Sequence, residues 1–211
     1  MRYNHLFIIV SFLILNIIAQ EKTIKLNPPE IEKGLPVMKA LQLRASASEF
    51  DTSKLNLQDI SNLLWAANGI NRPESKKRTA PSARNVKDID VYICTEDGVF
   101  LYEPGNHSII LIREGDYRLI VSNTQPNMAK APLFCILVSD YSRFPASTDS
   151  NKNFWATADA GIVSQNISIF CSGMNFHTRP RAQMDHKKLR DVLKLKDSQR
   201  LILNHPISYK K

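Results

Sequence analysis

Three features of this chain predict an α+β domain: two leading helical stretches, a middle block of strand-like runs, and one long helical segment behind it. Pro36 is suited to the first turn of a helix, and Val37, Met38, Leu41 and Leu43 give the stretch to about Arg44 an apolar side. A second helix is expected from about Leu57 to Ala67, where Leu57, Ile60, Leu63, Leu64 and Ala67 keep helical spacing before Asn68-Gly69 stops it. Residues 71–85 read as a loop rich in Pro, Lys and Arg. Ile89–Thr95 and Val99–Tyr102 read as strands of a hairpin around Glu96-Asp97-Gly98. Ile109–Arg113 is a third candidate strand. Pro132–Asp140 carries six apolar residues in succession, Leu133 to Val138, which suits a strand buried on both faces. Phe154–Met174 is apolar nearly all round and is expected to be a long helix crossing the interior. A Lys-rich helix from Asp185 to about Leu195 and a last strand, Arg200–Leu203, close the list, and no internal repeat is present.

The 211 residues divide into three parts. Residues 1–20 read as a secretory signal peptide: Arg2, a 13-residue apolar run from Leu6 to Ile18 broken by Ser11 and Asn16, then Ala19-Gln20 for cleavage. The run is short of the roughly 20 apolar residues that a membrane span needs. An uncleaved anchor is the alternative. Residues 21–35, with Pro28-Pro29, are an extended lead-in, and 36–211 form the domain. The expected location is therefore periplasmic or secreted, with no stable membrane insertion after cleavage. Three widely spaced cysteines, Cys94, Cys135 and Cys171, make no disulfide framework and read as small buried hydrophobes. No C-x-x-C or H-x-x-x-H pair exists, so no metal site is expected. The formal charge of +8 favours anionic partners, but the cations form no long run and few aromatic residues accompany them, which argues against nucleic acid.

Two segments carry the candidate chemistry. Arg44-Ala45-Ser46-Ala47-Ser48-Glu49-Phe50 sets small hydroxyl residues behind an arginine, and Thr79-Ala80-Pro81-Ser82-Ala83-Arg84-Asn85 is a basic loop entered through proline. An arginine fork beside a short hydroxyl donor matches phosphate oxygens. The alternative for Arg44 and Ser46 is helix capping and solvent. No Ser/His/Asp or paired-carboxylate constellation is visible, so no catalytic residue is assigned.

With these pieces in order, the chain from about Pro36 to Lys211 resembles the nitroreductase family of flavoproteins, nearest in wording its exported SagB-type members from Bacteroidetes. The resemblance rests on Arg44, Ser46 and Phe50, on Leu63-Leu64-Trp65-Ala66-Ala67-Asn68-Gly69-Ile70-Asn71-Arg72, and on Pro81-Ser82-Ala83-Arg84-Asn85. It continues with Asp159-Ala160-Gly161-Ile162-Val163-Ser164-Gln165-Asn166 and ends with Asn204-His205-Pro206-Ile207-Ser208-Tyr209. It implies a central, mostly antiparallel sheet flanked by helices, a long buried helix, and an intertwined homodimer binding FMN at its interface. It implies an oxidoreductase passing electrons or hydride through the flavin to a small acceptor such as a nitroaromatic or quinone.

Carried over by position, Arg44 and Ser46 would meet the FMN phosphate. Pro81, Ser82, Ala83 and Asn85 of the partner subunit would meet the ring system. A backbone N–H at Arg181 or Ala182 would face the reactive ring nitrogen. Gln165, on a helix expected to be buried, would bond backbone or flavin, and Asp159 is expected to satisfy neighbouring backbone. His205 is read as a solvated residue of the terminal loop.

The chain also departs from the family pattern. Ser48 stands where a second arginine is usual, so Ser48 is a weaker phosphate contact that Lys210, Lys211 or Arg84 would have to supplement. The closing turn, Ser208-Tyr209-Lys210, lacks its glycine. The alternative function is a non-catalytic dimeric binding protein of the same fold with weakened or lost FMN binding.

Overall fold

The structure, a computed structural model, describes residues 22–210. The expected signal peptide and Lys211 lie outside the described residues. The lead-in is not wholly irregular: Thr23–Lys25 forms an edge strand, β1. Helix α1 (Val37–Leu43) and helix α2 (Leu57–Asn68) follow, the latter capped by the Asn56 side chain accepting from the Asp59 N–H. A short hairpin, β2 (Ile70–Arg72) and β3 (Lys77–Arg78), rises out of the basic loop. Then come β4 (Ile89–Cys94), β5 (Gly98–Glu103), β6 (Ser108–Glu114), α3 (Arg118–Ser122) and β7 (Leu133–Asp140). The chain ends with α4 (Asp149–Gly173), β8 (Phe176–Thr178), α5 (His186–Val192) and β9 (Gln199–Tyr209).

Seven strands make one sheet in the order β1-β6-β5-β4-β7-β9-β8, with every pairing antiparallel. The period of two divides the core between its faces. From β7, Leu133, Cys135 and Leu137 join Leu63, Leu64, Ala160, Val163 and Ile167 of α2 and α4. Phe134, Ile136 and Val138 join Val121, Leu189 and Val192 of α3 and α5 on the other face. All eight residues of β7 are buried, as its apolar run requires. The three cysteines are free and buried, and burial pushes the Cys94 thiol up to about 12.

Three expectations need correcting. The last strand is eleven residues long rather than four, because Pro206 pairs with Phe134 without interrupting the ladder and the chain continues to Tyr209. Helix α4 starts five residues earlier than its apolar run, because the Thr148 hydroxyl accepts from the Asn151 N–H and caps it. It is also not buried all round: Phe154 is 71% exposed and Ile162 37%, while Ala156, Ala160, Val163, Ile167 and Cys171 face the sheet. Among the described residues no helix is long and apolar enough to cross a membrane.

Candidate functional site

The two candidate segments meet α4 at different places: the 44–50 stretch at its C-terminal end, and the 79–85 loop nearer its middle, around Trp155 and Asp159. The stretch from Ala45 to Glu49 runs past the helix C-terminus and β8, held by the Ala47 N–H on the Thr178 carbonyl (2.9 Å) and anchored by buried Phe50. Burying one such ring stabilises by roughly 1.5–3 kcal/mol. Leu35 crosses the same helix end and donates its N–H to the Gly173 carbonyl at 3.0 Å. The approach requires a glycine beside it: Gly34 has φ +105°, and a Cβ there would stand 2.9 Å from the Met174 sulfur.

Together these segments enclose a cleft of about 700 Å³, of the size that takes a cofactor. Ser46, Ser48, Ser168, Ser172 and Thr178 supply hydroxyl groups to its lining, and Lys33 and Lys210 supply cations. Leu35, Leu43, Met174 and Phe176 make its apolar part, and Glu49 adds one carboxylate. Arg44 is exposed and does not itself line the cleft, although its neighbours Leu43 and Ala45 do. Its side chain has no hydrogen-bond or ion-pair partner among the described residues. Ser168 and Ser172 donate inward, to the Ser164 and Ala40 carbonyls, and Thr178 is bonded to His205, so the side-chain donors left to the cleft are Ser46, Ser48 and the lysines; these beside an apolar wall suit a planar group carrying a phosphate.

Beneath this cleft lies His205, which sequence reasoning missed. It is wholly buried in β9 rather than solvated in a terminal loop. Its Nε2 lies 2.8 Å from the Ser164 hydroxyl of α4 and its Nδ1 3.2 Å from the Thr178 hydroxyl of β8. Burial lowers its pKa to about 3, so the ring is neutral. Through Thr178 the ring also backs the strand that holds Ala47.

The 81–87 loop is built differently. Arg84, Asn85 and Lys87 all have φ near +56°, the left-handed region that non-glycine residues avoid. Their conformation is imposed from below. The Ala83 N–H donates to both carboxylate oxygens of buried Asp159 (3.0 and 2.8 Å), and the Lys87 N–H donates to the Ser82 hydroxyl (2.8 Å). Asp88, fully buried beside Asp159, accepts from Ser139 at 2.6 Å. Burial pushes its pKa up to about 7; the Asp159 carboxyl beside it adds to the rise, and Ser139 opposes it.

Asp159 therefore satisfies backbone, as its place in the pattern suggests. Arg84 lies 5.8 Å from the centre of the Trp155 ring. Pro81, Ser82 and Asn85 line a separate, smaller cleft with Arg72, Lys77 and Arg78.

The remaining candidates scatter. Gln165 is exposed on α4, not held in its buried face, because that face is taken by Val163, Ser164 and Ile167. Its neighbour Asn166 donates to the Ala67 carbonyl. Arg181 is buried and committed to the fold: its N–H donates to the Asn204 carbonyl at 2.8 Å, and its guanidinium bonds Ser122 and Asn204. The N–H of exposed Ala182 has no acceptor among the described residues, so of the two expected donors Ala182 is the one left available. From Asp159, under the 81–87 loop, to Ser168 and Ser172 at the large cleft is about 13–20 Å of helix axis. One chain thus keeps the two candidate walls apart.

A profile of the Nitroreductase family matches residues 41–209. The chain belongs to the nitroreductase family. It is similar to a nitroreductase-family protein of Methanocaldococcus jannaschii, 26% identical over 190 residues that cover 86% of this chain and 95% of the relative. A solved nitroreductase-family structure from Ralstonia eutropha superposes with a TM-score of 0.83 at 30% identity, covering 90% of each chain. A candidate NAD(P)H:FMN oxidoreductase of Staphylococcus epidermidis shares the fold, with a TM-score of 0.65 at 11% identity over 84% of this chain and 89% of that one. Nitroreductase membership sets the chain among flavin-dependent oxidoreductases in general.

Proposed function

We propose that the chain is an FMN-dependent oxidoreductase, exported in mature form and active as a homodimer, that passes electrons to a small acceptor such as a nitroaromatic or quinone. The observation that carries this reading is the large cleft. It is lined by Ser46 and Ser48, which fall on the family's phosphate pattern behind Arg44, with Lys210 across from them in sequence and in the lining. The bound flavin would supply the redox chemistry. The chain's own residues would then do three things. Arg44, Ser46, Ser48 and the Lys210–Lys211 tail would hold the phosphate. Leu35, Met174 and Phe176 would exclude water. The Ala182 N–H would offer a hydrogen-bond donor to the ring edge.

Two observations support the dimer. The 81–85 loop, assigned to the ring system, lines none of the cleft of its own chain. In addition, Val37, Met38 and Leu41 of α1 and Phe154 and Ile162 of α4 are left exposed, at 37–73%. An obligate interface commonly buries at least roughly 2,000 Å² in total.

A second reading, a dimeric binding protein that holds flavin poorly, is favoured by Ser48 in place of arginine and by the loss of the Arg181 N–H to Asn204. The absorbance spectrum of protein purified without added flavin separates the two. Oxidised-flavin bands, with sedimentation as a dimer, support the enzyme. A colourless protein that rejects added FMN supports the binder. The N-terminal mass of protein recovered from its own cells tests export: a start near Gln20 or Glu21 is expected, and an intact Met1 in a membrane fraction refutes it.

A further inference from the structure

The match to the family profile begins at residue 41, yet part of the large cleft is made by residues that precede it. Lys33, Gly34 and Leu35 line the cleft together with residues 45–49 and 172–178. Residues 27–35 reach that place with no helix or strand of their own, so other bonds must hold them there.

Those bonds follow one another along the segment. Leu26 is buried behind β1 and donates its N–H to the His107 carbonyl at 3.0 Å. The Asn27 carbonyl accepts from the Ser61 hydroxyl, and the Pro28 carbonyl from the Gln58 amide at 3.0 Å, both on α2. Pro28-Pro29 fix two φ angles beyond this point. Glu30 and Asn62 then bond both ways. The Glu30 N–H donates to the Asn62 side-chain oxygen at 2.8 Å, and the Asn62 amide donates to the Glu30 carboxylate at 2.9 Å. The same carboxylate accepts from Lys33 at 2.9 Å. Leu35 docks on the Gly173 carbonyl, with Gly34 at its positive φ beside it. One segment thus ties the sheet edge, α2 and the C-terminus of α4 together.

A segment that only covered the core would bury its apolar side chains. This one does not: Ile31 is 72% exposed and Leu35 45%. What the bonds fix is the place of residues 33–35 at the cleft. We infer that residues 27–35 form a strap that sets one wall of the cleft and slows the release of the flavin held there. Glu30, Asn62 and Gly34 are its positioning residues, and Leu35 is the group it places at the ligand. The inference rests on the flavin reading proposed above.

A wall and a charge grip depend differently on the ligand. A wall shields whatever lies beside it, so FMN and riboflavin are retained alike. A grip on the phosphate acts on FMN alone.

The test is stopped-flow dissociation of FMN and of riboflavin from the full chain, followed by recovery of flavin fluorescence. Glu30 is exposed, so Glu30→Ala leaves the core intact; it should speed release of both flavins about threefold. Gly34→Ala, strained at φ +105°, should speed both about tenfold. Glu30→Gln keeps an acceptor for Asn62 and should restore most of the retention. Glu32→Gln, on the same strap with no side-chain partner among the described residues, should stay within about twofold of the parent. Circular dichroism checks that each variant is folded. Unchanged release in Glu30→Ala or Gly34→Ala overturns the inference, as does an equal effect of Glu32→Gln. A change confined to FMN, of either sign, makes the segment a phosphate contact through Lys33 and overturns the wall.

Amide exchange of the flavin-free protein supplies the second arm. Glu30→Ala should speed exchange of the Leu35 N–H, which bonds Gly173, and leave the Leu63 and Leu64 amides of α2 unchanged. Unchanged exchange at Leu35 overturns the strap even where flavin binds. A chain that binds no flavin overturns the proposed function instead, and exchange at Leu35 then decides by itself whether Glu30 holds the segment in place.

Discussion

The two candidate segments packed along α4 achieve order by opposite means. At the C-terminal end an irregular stretch, 45–49, is laid over finished secondary structure and tied by single bonds such as Ala47 to Thr178. Its polar side chains stay exposed and partnerless, ready to exchange water for a ligand. Near the middle of the helix the 81–87 loop is held in left-handed backbone by the buried Asp159 carboxylate and the Ser82 hydroxyl, and its shape exists before any ligand arrives. The first segment is adaptable and contributes little to stability. The second is rigid, and its rigidity is bought with buried charge. Substitutions in the two segments should therefore separate cleanly into effects on folding and effects on binding.

The largest effect is expected at Asp159. Asp159→Ala leaves the Ala83 N–H without its acceptor and Asp88 without its neighbour, inside the protein. A buried group stranded in this way costs about 1–3 kcal/mol, and breaking a buried charged network costs more. A loss of about 3 kcal/mol in urea unfolding is expected, together with faster amide exchange confined to 82–87. A loss below about 0.5 kcal/mol with unchanged exchange would mean that the loop holds its own shape.

Next come two buried groups whose pH dependence has opposite sign. Asp88 has its pKa raised from 3.8 to about 7, so the stability tied to its protonated form is full below pH 3.8 and is lost as pH rises to about 7. Asp88→Asn, which stays neutral, should flatten that decline and gain on the order of 2 kcal/mol at pH 8 relative to the parent. His205 has its pKa lowered from 6.5 to about 3. Its contribution is full above pH 6.5 and is lost as pH falls toward 3. His205→Gln should reduce acid sensitivity in that window, while costing about 1 kcal/mol at pH 7 for an imperfect fit between Ser164 and Thr178. Thermal melts of the parent and both variants from pH 4 to 8 would show the crossing trends. Parallel curves would mean that neither group governs stability.

The same contrast explains what could be read from the sequence. The sheet was legible because Leu133–Val138 and the Glu96-Asp97-Gly98 turn are local signals that tertiary packing does not override. The Arg44–Phe50 segment was legible because hydroxyl residues behind an arginine are a local pattern too. His205 was not. Flanked by Asn204 and Pro206 near the chain end, it looks solvated, and only the pairing of β9 between β7 and β8 buries it. Nor was the commitment of Arg181, whose partners Ser122 and Asn204 are distant in sequence. The exposure of Gln165 was hidden for a related reason: an apolar composition around a helix does not say which side the rest of the chain covers. The signals that failed all depend on long-range packing.

The smallest effect, and the one that bears most directly on function, belongs to the adaptable end. If Arg44 grips a phosphate, Arg44→Ala should weaken FMN more than riboflavin, because the fork has nothing to hold in the ligand that lacks a phosphate. Ser48→Arg should tighten FMN selectively by restoring a second cation to the cleft wall. Both positions are exposed, so screening by water keeps each change to about 1 kcal/mol, or roughly fivefold in affinity. Folding stability should move by less than about 0.5 kcal/mol, since neither side chain has an internal partner to lose. Fluorescence titration of the parent and the two variants with both flavins measures the difference. Equal losses for FMN and riboflavin in Arg44→Ala would make that arginine structural and erase the division between the two segments. An unchanged FMN affinity in Ser48→Arg would mean that Lys210 and its neighbour already supply the second charge, and the adaptable end would then be more complete than its motif suggests.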